Sequence, residues 1–507
     1  MPPASASWRH ALWTKAFLAL GLIALTDWLL YDHTPGMNWG LFALALTLAA
    51  AVAHPGLGRH PVAALSLCMA AFFALTLVEG PGLTGWSLFW IALGVAVLSR
   101  RAGRHDDAWR WFQRLVFLGL AGTVQPLLDA RKAMKRGRTP LRIAAVVSLL
   151  AAPMVGGIIF LSLFIMANPV LATGLAQLHL PQVSFARMMF WGMAGLAIWA
   201  ALRPHALRKP FGLPAGRKAE RASVASVILS LALFNGLFAL QNGLDIAFLW
   251  SGAALPEGVS FADYAHRGAY LLIITALLAG AFVLAFLRPG SPSAERPLVQ
   301  RLVIVWIAQN LMLVASSALR TLDYVEAYGL TPLRISALIW MGLVAAGLVL
   351  VCVRVLRRRS PSWLINANVA TLGVVLTACS VIDFSAVAAA WNVRHAREVD
   401  GSGAHLDLCY LNELNGAALL PLLDLERTPL PGDLHGHVVW TRSMIMARME
   451  RRQADWRSWT FRDQRRLDQA RARLASQPPE AGIVGCEHQT PVPPPPAPLT
   501  AAPAAGQ

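Results

Sequence analysis

Apolar residues in this chain come in long unbroken runs. They show neither the alternation of a half-buried strand nor the three-and-four spacing of a helix on a soluble core. Runs long enough to cross roughly 30 Å of hydrocarbon as helix lie near 14–31, 38–54, 61–78, 82–99, 143–167, 186–203, 223–248, 269–287, 302–319, 335–354 and 362–383. This pattern predicts an all-α fold, a polytopic transmembrane helix bundle of about 11 spans over residues 1–383. From 384 to 480 the pattern changes to apolar residues three and four apart, with Trp440, Trp456, Trp459 and Phe461 set among charges. That predicts a small C-terminal helical extramembrane domain. Residues 481–507, ending PVPPPPAPLTAAPAAGQ, are a Pro/Ala-rich tail that cannot bury a core and is expected to be disordered.

One stretch fits neither pattern. Residues 106–130, DDAWRWFQRLVFLGLAGTVQPLLDA, open with charge and continue with an apolar run too short to span. The expected element is an interfacial amphipathic helix, with Trp109, Trp111 and Phe112 at headgroup level and Arg110 and Arg114 toward anionic lipid. A re-entrant or partner-binding segment is the alternative.

Composition agrees with a membrane protein: 56 % of residues are apolar, 14 % are charged and mean hydropathy is +0.51, which excludes an ordinary soluble enzyme. The net charge of +17 suggests a nucleic-acid binder until its distribution is read. Residues 1–383 hold 31 Lys+Arg and 14 Asp+Glu, whereas residues 384–507 hold 13 of each. The excess lies in alternate connections between spans: 100–142, 203–221, 288–301 and 354–359 carry eleven, six, three and four bases. The intervening connections carry only Arg267, Arg320 and Arg334. Such asymmetry marks a cytoplasmic side. It predicts a bacterial inner-membrane protein with its N-terminus cytoplasmic and its C-terminal domain periplasmic. Arg9 and Lys15 precede the first run, but Thr26, Asp27 and Trp28 follow where a cleavage site would need small residues, so a retained anchor is expected. The expected partners are anionic lipids at the basic loops and an envelope protein for the C-terminal domain, with no nucleic acid.

Polar groups in spans need partners or water, so their positions carry information. Asn235, Gln241, Asn242 and Asp245 lie in the outer half of the 223–248 span, and Gln309 and Asn310 near the middle of 302–319. Asp245, Tyr264, His266, Arg267, Arg320, Asp323, Tyr324, Glu326 and Arg334 fall on the outward side and form the candidate cluster. Arg267, Arg320 and Arg334 are expected to pair with Asp245, Asp323 and Glu326. The cluster is either a polar clasp locking external loops over the bundle or an outward-opening site for a headgroup, peptide or small solute.

The strings FALQNGLDIAFLWSGAALPEGVSFADYAHRGAYLL (238–272), SSALRTLDYVEAYGLTPLRISALIW (316–340) and WLINANVATL (363–372) resemble a family of bacterial multi-pass membrane proteins catalogued as domain of unknown function 4173. The resemblance covers about residues 220–425. It implies an inner-membrane helix bundle with no established activity, and recurring tyrosine and arginine positions at Tyr264, Arg267, Tyr324, Tyr328 and Arg334. Ala269 and Tyr270 stand where that family often has bulky aromatics.

The five cysteines make no scaffold, although Cys409 and Cys486 are expected to meet an oxidising compartment and to form a disulfide there or remain thiols. His405, Cys409, His435, His437, Cys486 and His488 match no zinc spacing, and no CxxC, HExxH, GxxxxGK or GxSxG occurs. No catalytic set, metal site or cofactor is predicted. Three functional classes follow: an envelope scaffold or sensor with an outward polar cluster, which demands least of the sequence; a transporter of a small solute or lipid; and an intramembrane enzyme acting on lipid or peptide, with His266 or Asp245 as base and Arg267 as anion clamp.

Overall fold

The computed structural model describes residues 4–102, 107–136, 184–205, 207, 210–211, 223–251, 278, 296–430 and 433–475. The expected spans at 143–167 and 269–287 and the expected disordered tail at 481–507 lie outside the described residues. Tyr264, His266, Arg267 and Cys486 lie outside them as well.

Nine expected spans fall on helices among the described residues. These are α1 (Ala4–Leu30), α2 (Met37–Ala53), α3 (Pro61–Glu79), α4 (Leu83–Leu98), α6 (Phe185–Leu202), α7 (Val224–Asp245), α8 (Pro297–Tyr328), α9 (Pro332–Leu356) and α10 (Pro361–Val381). Seven are long and apolar enough to cross a membrane; α2 and α4 are shorter, at 17 and 16 residues. The ends obey local chemistry. α3, α8, α9 and α10 open on proline, whose fixed φ suits the first helical turn. Ser184, Ser223, Thr331 and Ser360 each accept a hydrogen bond from the backbone amide three residues on.

The apolar surface is arranged as lipid requires. Leu229, Leu233, Leu237 and Leu240 form an exposed stripe on α7, while Val227, Leu231, Asn242 and Asp245 on its other side are buried. Two apolar cores result. The first joins α1 to α4 with α6 through Leu29, Leu46, Phe73, Phe89 and Ile198. The second joins α7 to α10 through Leu231, Val303, Trp306, Met341 and Leu364.

Contacts between helix ends define two faces. Arg187 on the first turn of α6 donates to Asp27 near the end of α1 at 2.7 Å, while Lys15 donates to the Leu202 carbonyl at the other end at 2.8 Å. α6 therefore runs antiparallel to α1. α7 and α8 run parallel: Asn235 donates to the Leu302 carbonyl at 3.1 Å and Asn242 to that of Gln309 at 3.2 Å. One face thus carries the ends of α1, α3, α8 and α10. The other carries Arg59, Arg100, Arg203, Arg296, Arg301, Arg354 and Arg357 to Arg359, and is called the basic face here.

The 106–130 stretch is helical as α5 (Ala108–Arg136). Ala108 bonds to Asn366 at the start of α10, Gly94 near the end of α4 faces Leu115, and Asp129 pairs with Arg203 at the end of α6 at 3.1 Å. α5 thus lies across the basic-face ends of three helices. Phe112, Val116, Phe117, Leu120, Val124 and Leu128 form an exposed apolar stripe, and Arg114, Gln125 and Asp129 are buried beneath. Arg114 does not point toward lipid, as its place near the aromatics suggests; it turns inward and donates to the Leu207 carbonyl at 3.0 Å, because that face of the helix packs on the chain after α6.

Residues 384–475 form a cap with a core of its own, built from α11 (Phe384–Arg394), short helices at Leu408–Glu413 and Leu419–Leu425, α12 (Leu434–Ala454) and α13 (Phe461–Leu474). Leu411, Leu419, Leu422, Val438, Ile445 and Leu467 are its centre. The cap sits on the face opposite the basic one.

Candidate functional site

The cap is tied to both cores. Against the first, the α1–α2 turn lies along the chain at 457–459: Met37 and Asn38 donate their amides to the carbonyls of Trp459 and Arg457 at 2.9 and 3.0 Å. The approach is close enough that a Cβ on Gly36 would overlap the Ser458 backbone. Asn38 is buried and fastens this turn from inside, accepting from the Gly36 amide and donating to the Leu29 carbonyl, both at 2.9 Å. Arg457 lies over the rings of Trp28 and Trp456, 5.0 and 4.9 Å from their centroids.

Glu79, the last residue of α3, receives the start of α13. Its two carboxylate oxygens accept from the amides of Phe461 and Arg462 at 3.0 and 2.9 Å, so a negative charge meets the positive end of the helix dipole. Asp383, just past α10, pairs with Arg466 at 2.6 Å and with Arg462 at 4.0 Å. Burial pushes the Asp383 carboxyl up, but the Arg466 and Arg462 guanidiniums and the Ala386 amide outweigh it and hold it below the usual carboxylate range.

Against the second core, besides Asp383 at the end of α10, the tie is Asn392 of α11. Its side chain accepts from the Leu330 amide at 2.5 Å and donates to the Leu330 carbonyl at 2.9 Å, within the α8–α9 turn. Val325, Leu330 and Ala388 pack beside it.

Of the sequence-predicted residues, Asp245 and Arg320 meet as a buried ion pair between α7 and α8, with Gln241 donating to the same Asp245 oxygen at 3.0 Å. Below it Gln309 donates to Asn235 at 3.3 Å, and Asn310 turns back onto the Trp306 carbonyl at 2.7 Å. These polar groups bond to one another and to backbone, as groups in a helix–helix seam do. Among the described residues Arg334 pairs with no carboxylate. It covers the Tyr324 ring at 4.2 Å and donates to the carbonyls of Tyr328 and Gly329, the carbonyls that the turn after α8 presents.

Asp323 and Glu326 stand apart from these pairs and line a cavity of about 450 Å³ between the end of α8 and the cap, with Asn392, His395, His405, Asp407 and Tyr410 on its other wall. The Tyr410 hydroxyl is buried with no hydrogen-bond partner among the described residues, and burial pushes its pKa up. His405 uses both ring nitrogens, Nδ1 to Glu398 at 2.8 Å and Nε2 to Arg397 at 3.1 Å. Burial raises the Glu398 carboxyl, yet the bonds from His405 and the Leu406 amide leave it below its ordinary value. No group of three metal-ligating side chains occurs among the described residues. Cys409 is exposed, Cys68 is also exposed, and Cys352 and Cys379 are half-buried in α9 and α10.

Sequence reasoning missed Glu79, Asn38, Asn392 and Tyr410. Each is a single polar residue at an element end, and only its partner, 62 to 383 positions away in the chain for the hydrogen bonds of Asn392 and Glu79, gives it a role.

Residues 60–425 match the family described as Domain of unknown function (DUF4153), and the chain belongs to that family. This corrects the resemblance drawn from the sequence strings: the family is DUF4153 and not the one numbered 4173, and the match begins at residue 60, well before 220. Those strings lie in spans and their connections, where hydropathy makes unrelated membrane families look alike. No curated protein and no solved structure matches the chain.

Proposed function

We propose that this membrane protein is a bacterial envelope scaffold or sensor whose cap faces the periplasm and whose basic face is cytoplasmic. One observation carries the reading: the same cap is fastened to both cores, to the first through Glu79 and the 36–38 turn, and to the second through Asp383 and Asn392. A body that bridges two packed units across their ends holds their relative position. Anything that binds the cap or the cavity beneath it biases that position by its differential affinity for the arrangements available.

The cavity supports a sensing role because its wall holds three carboxylates outside the ion pairs, Asp323, Glu326 and Asp407, and a buried hydroxyl without a partner among the described residues, a set suited to a small ligand rich in hydrogen-bond donors. A transporter needs polar groups facing a path. Asn235, Asn242, Gln309, Asp245 and Arg320 instead bond within the α7–α8 seam, to one another and to backbone carbonyls.

The test has two parts. Single cysteines at Ser443 and Arg357, in a background without native cysteines, are treated with a membrane-impermeant thiol reagent on spheroplasts; labelling at 443 alone is expected, and labelling at 357 alone inverts the orientation. Then Glu326→Gln combined with Tyr410→Phe is compared with wild type in a strain where loss of the protein has a phenotype. Normal abundance with the phenotype lost supports sensing at the cavity. A preserved phenotype rejects it, and solute flux in liposomes carrying the purified protein would replace it with transport.

A further inference from the structure

The most unusual charge in the molecule is at the other end. Arg354 lies in the last turn of α9 and is 2 % exposed, yet its Nε, Nη1 and Nη2 all lack a hydrogen-bond partner among the described residues. Other buried arginines are bonded: Arg442 to Glu426 at 2.8 Å, Arg114 to the Leu207 carbonyl, and the nearly buried Arg320 to Asp245. A guanidinium removed from water without a counter-charge costs several kcal/mol, so a chain that keeps one in a packed position has an anion to meet it.

Its surroundings indicate which anion. Arg357, Arg358 and Arg359 follow it in the chain, and Arg296 and Arg301 flank the start of α8 on the same face. Val299 and Val303 of α8 and Leu364 of α10 share one apolar cluster with Val351, which seats these helix starts beside the end of α9. The described carboxylate near this end, Asp107, is already engaged by the Arg110 amide at 3.0 Å and the Ser362 hydroxyl at 3.2 Å. The positive ends of the α8 and α10 dipoles add to the same field. Leu298 and Leu356 are exposed at this level, 52 % and 59 %, so apolar surface continues directly from the cationic end. A ligand with a compact doubly bonding anion and an apolar tail fits both features.

We propose that the basic-face end of α8, α9 and α10 is a binding site for an acidic phospholipid, with Arg354 holding the headgroup phosphate through its guanidinium fork and the exposed arginines drawing the anion in. The phosphate diester supplies the oxygens that Arg354 lacks, and its acyl chains lie along Leu298 and Leu356. The proposal is independent of what the cap senses.

The test uses the purified full chain in nanodiscs of phosphatidylcholine, with or without phosphatidylglycerol, and reads thermal unfolding. Wild type is expected to gain about 3 °C or more in Tm with phosphatidylglycerol. Arg354→Met, of similar volume and no charge, is expected to lose that gain, and Arg427→Gln, an exposed arginine on the cap, to keep it. Equal gains in wild type and Arg354→Met overturn the proposal, as does an Arg354→Met deficit of the same size in both bilayers, which would mean that the counter-charge belongs to the chain. Inorganic phosphate in the neutral bilayer is a third arm; if it reproduces the full gain, a free anion and not a lipid occupies the site. Should Arg354→Met fail to fold, native mass spectrometry of wild type decides: preferential retention of phosphatidylglycerol over phosphatidylcholine is expected, and indifference between them rejects the site.

Discussion

The two faces of the bundle use arginine in opposite ways. Under the cap, Arg320, Arg462 and Arg466 are each matched to a carboxylate on another helix, and the charge serves to hold elements together. At the basic face, Arg354 is buried more fully than any of these and matched to nothing among the described residues, while its neighbours Arg357 to Arg359 are exposed. A matched buried charge constrains the fold, and an unmatched one requires something from outside the described chain. The distinction is invisible in a count of arginines, and it separates what the cap face does for architecture from what the basic face does for binding.

The comparison is broken most forcefully at the matched pair. Asp245→Ala removes the carboxylate paired with Arg320 inside the α7–α8 seam and is expected to destabilise the bundle by about 3–5 kcal/mol. Thermal unfolding in detergent reads the loss, and Asp245→Leu with Arg320→Met should recover most of it. If the single variant is as stable as wild type, the pair is not a structural clasp. Asn392→Ala removes two hydrogen bonds from the Leu330 backbone and leaves a turn under-satisfied, for an expected cost of about 1–3 kcal/mol. Hydrogen exchange should then rise at Leu330 and in α11 while α13 stays protected; uniform exchange would show that the two ties are not separate.

Glu79→Gln keeps the shape of the cap's other tie but removes its charge. A loss of about 1 kcal/mol is expected from the weakened interaction with the α13 amides and dipole. The smallest effect is a dependence on pH. The folded protein holds Asp383 below the usual carboxylate range, so its contribution is fully present above the ordinary pKa of an aspartate, about 4, and is lost as pH falls through the lower folded value. Docking of the cap, followed by Trp456 fluorescence, should be flat from neutral pH down to that range and weaken below it. Asp383→Asn should remove the acid-dependent part.

Much of the architecture is legible in one dimension because a bilayer acts on each span separately. A helix of about twenty apolar residues is required wherever the chain crosses, whatever packs beside it, so nine of the expected spans fall on described helices, although α1 starts ten residues earlier and α8 ends nine residues later than expected. The spacing of bases in alternate connections likewise needs no knowledge of neighbours, and among the described residues the fold gathers Arg100, Arg203, Arg296, Arg301, Arg354 and Arg357 to Arg359 on one face. The polar seam between α7 and α8 was also flagged, because a lone Asn, Gln or Asp in an apolar run stands out.

Partners were not legible. Whether Arg334 meets an acid or a carbonyl, whether Arg114 faces lipid or protein, and whether Glu79 is a loop charge or a helix cap each depend on where another segment lies in space. Hydropathy and charge are properties of single residues averaged over a window, so the chain by itself determined that it is an all-α bundle of apolar helices and roughly where nine of them lie, and it marked a change of pattern near 384. Tertiary structure alone decided which charges are paired, that one cap spans two cores, and that Arg354 is buried without a partner among the described residues, because pairing and burial depend on distances between residues that the chain order does not set.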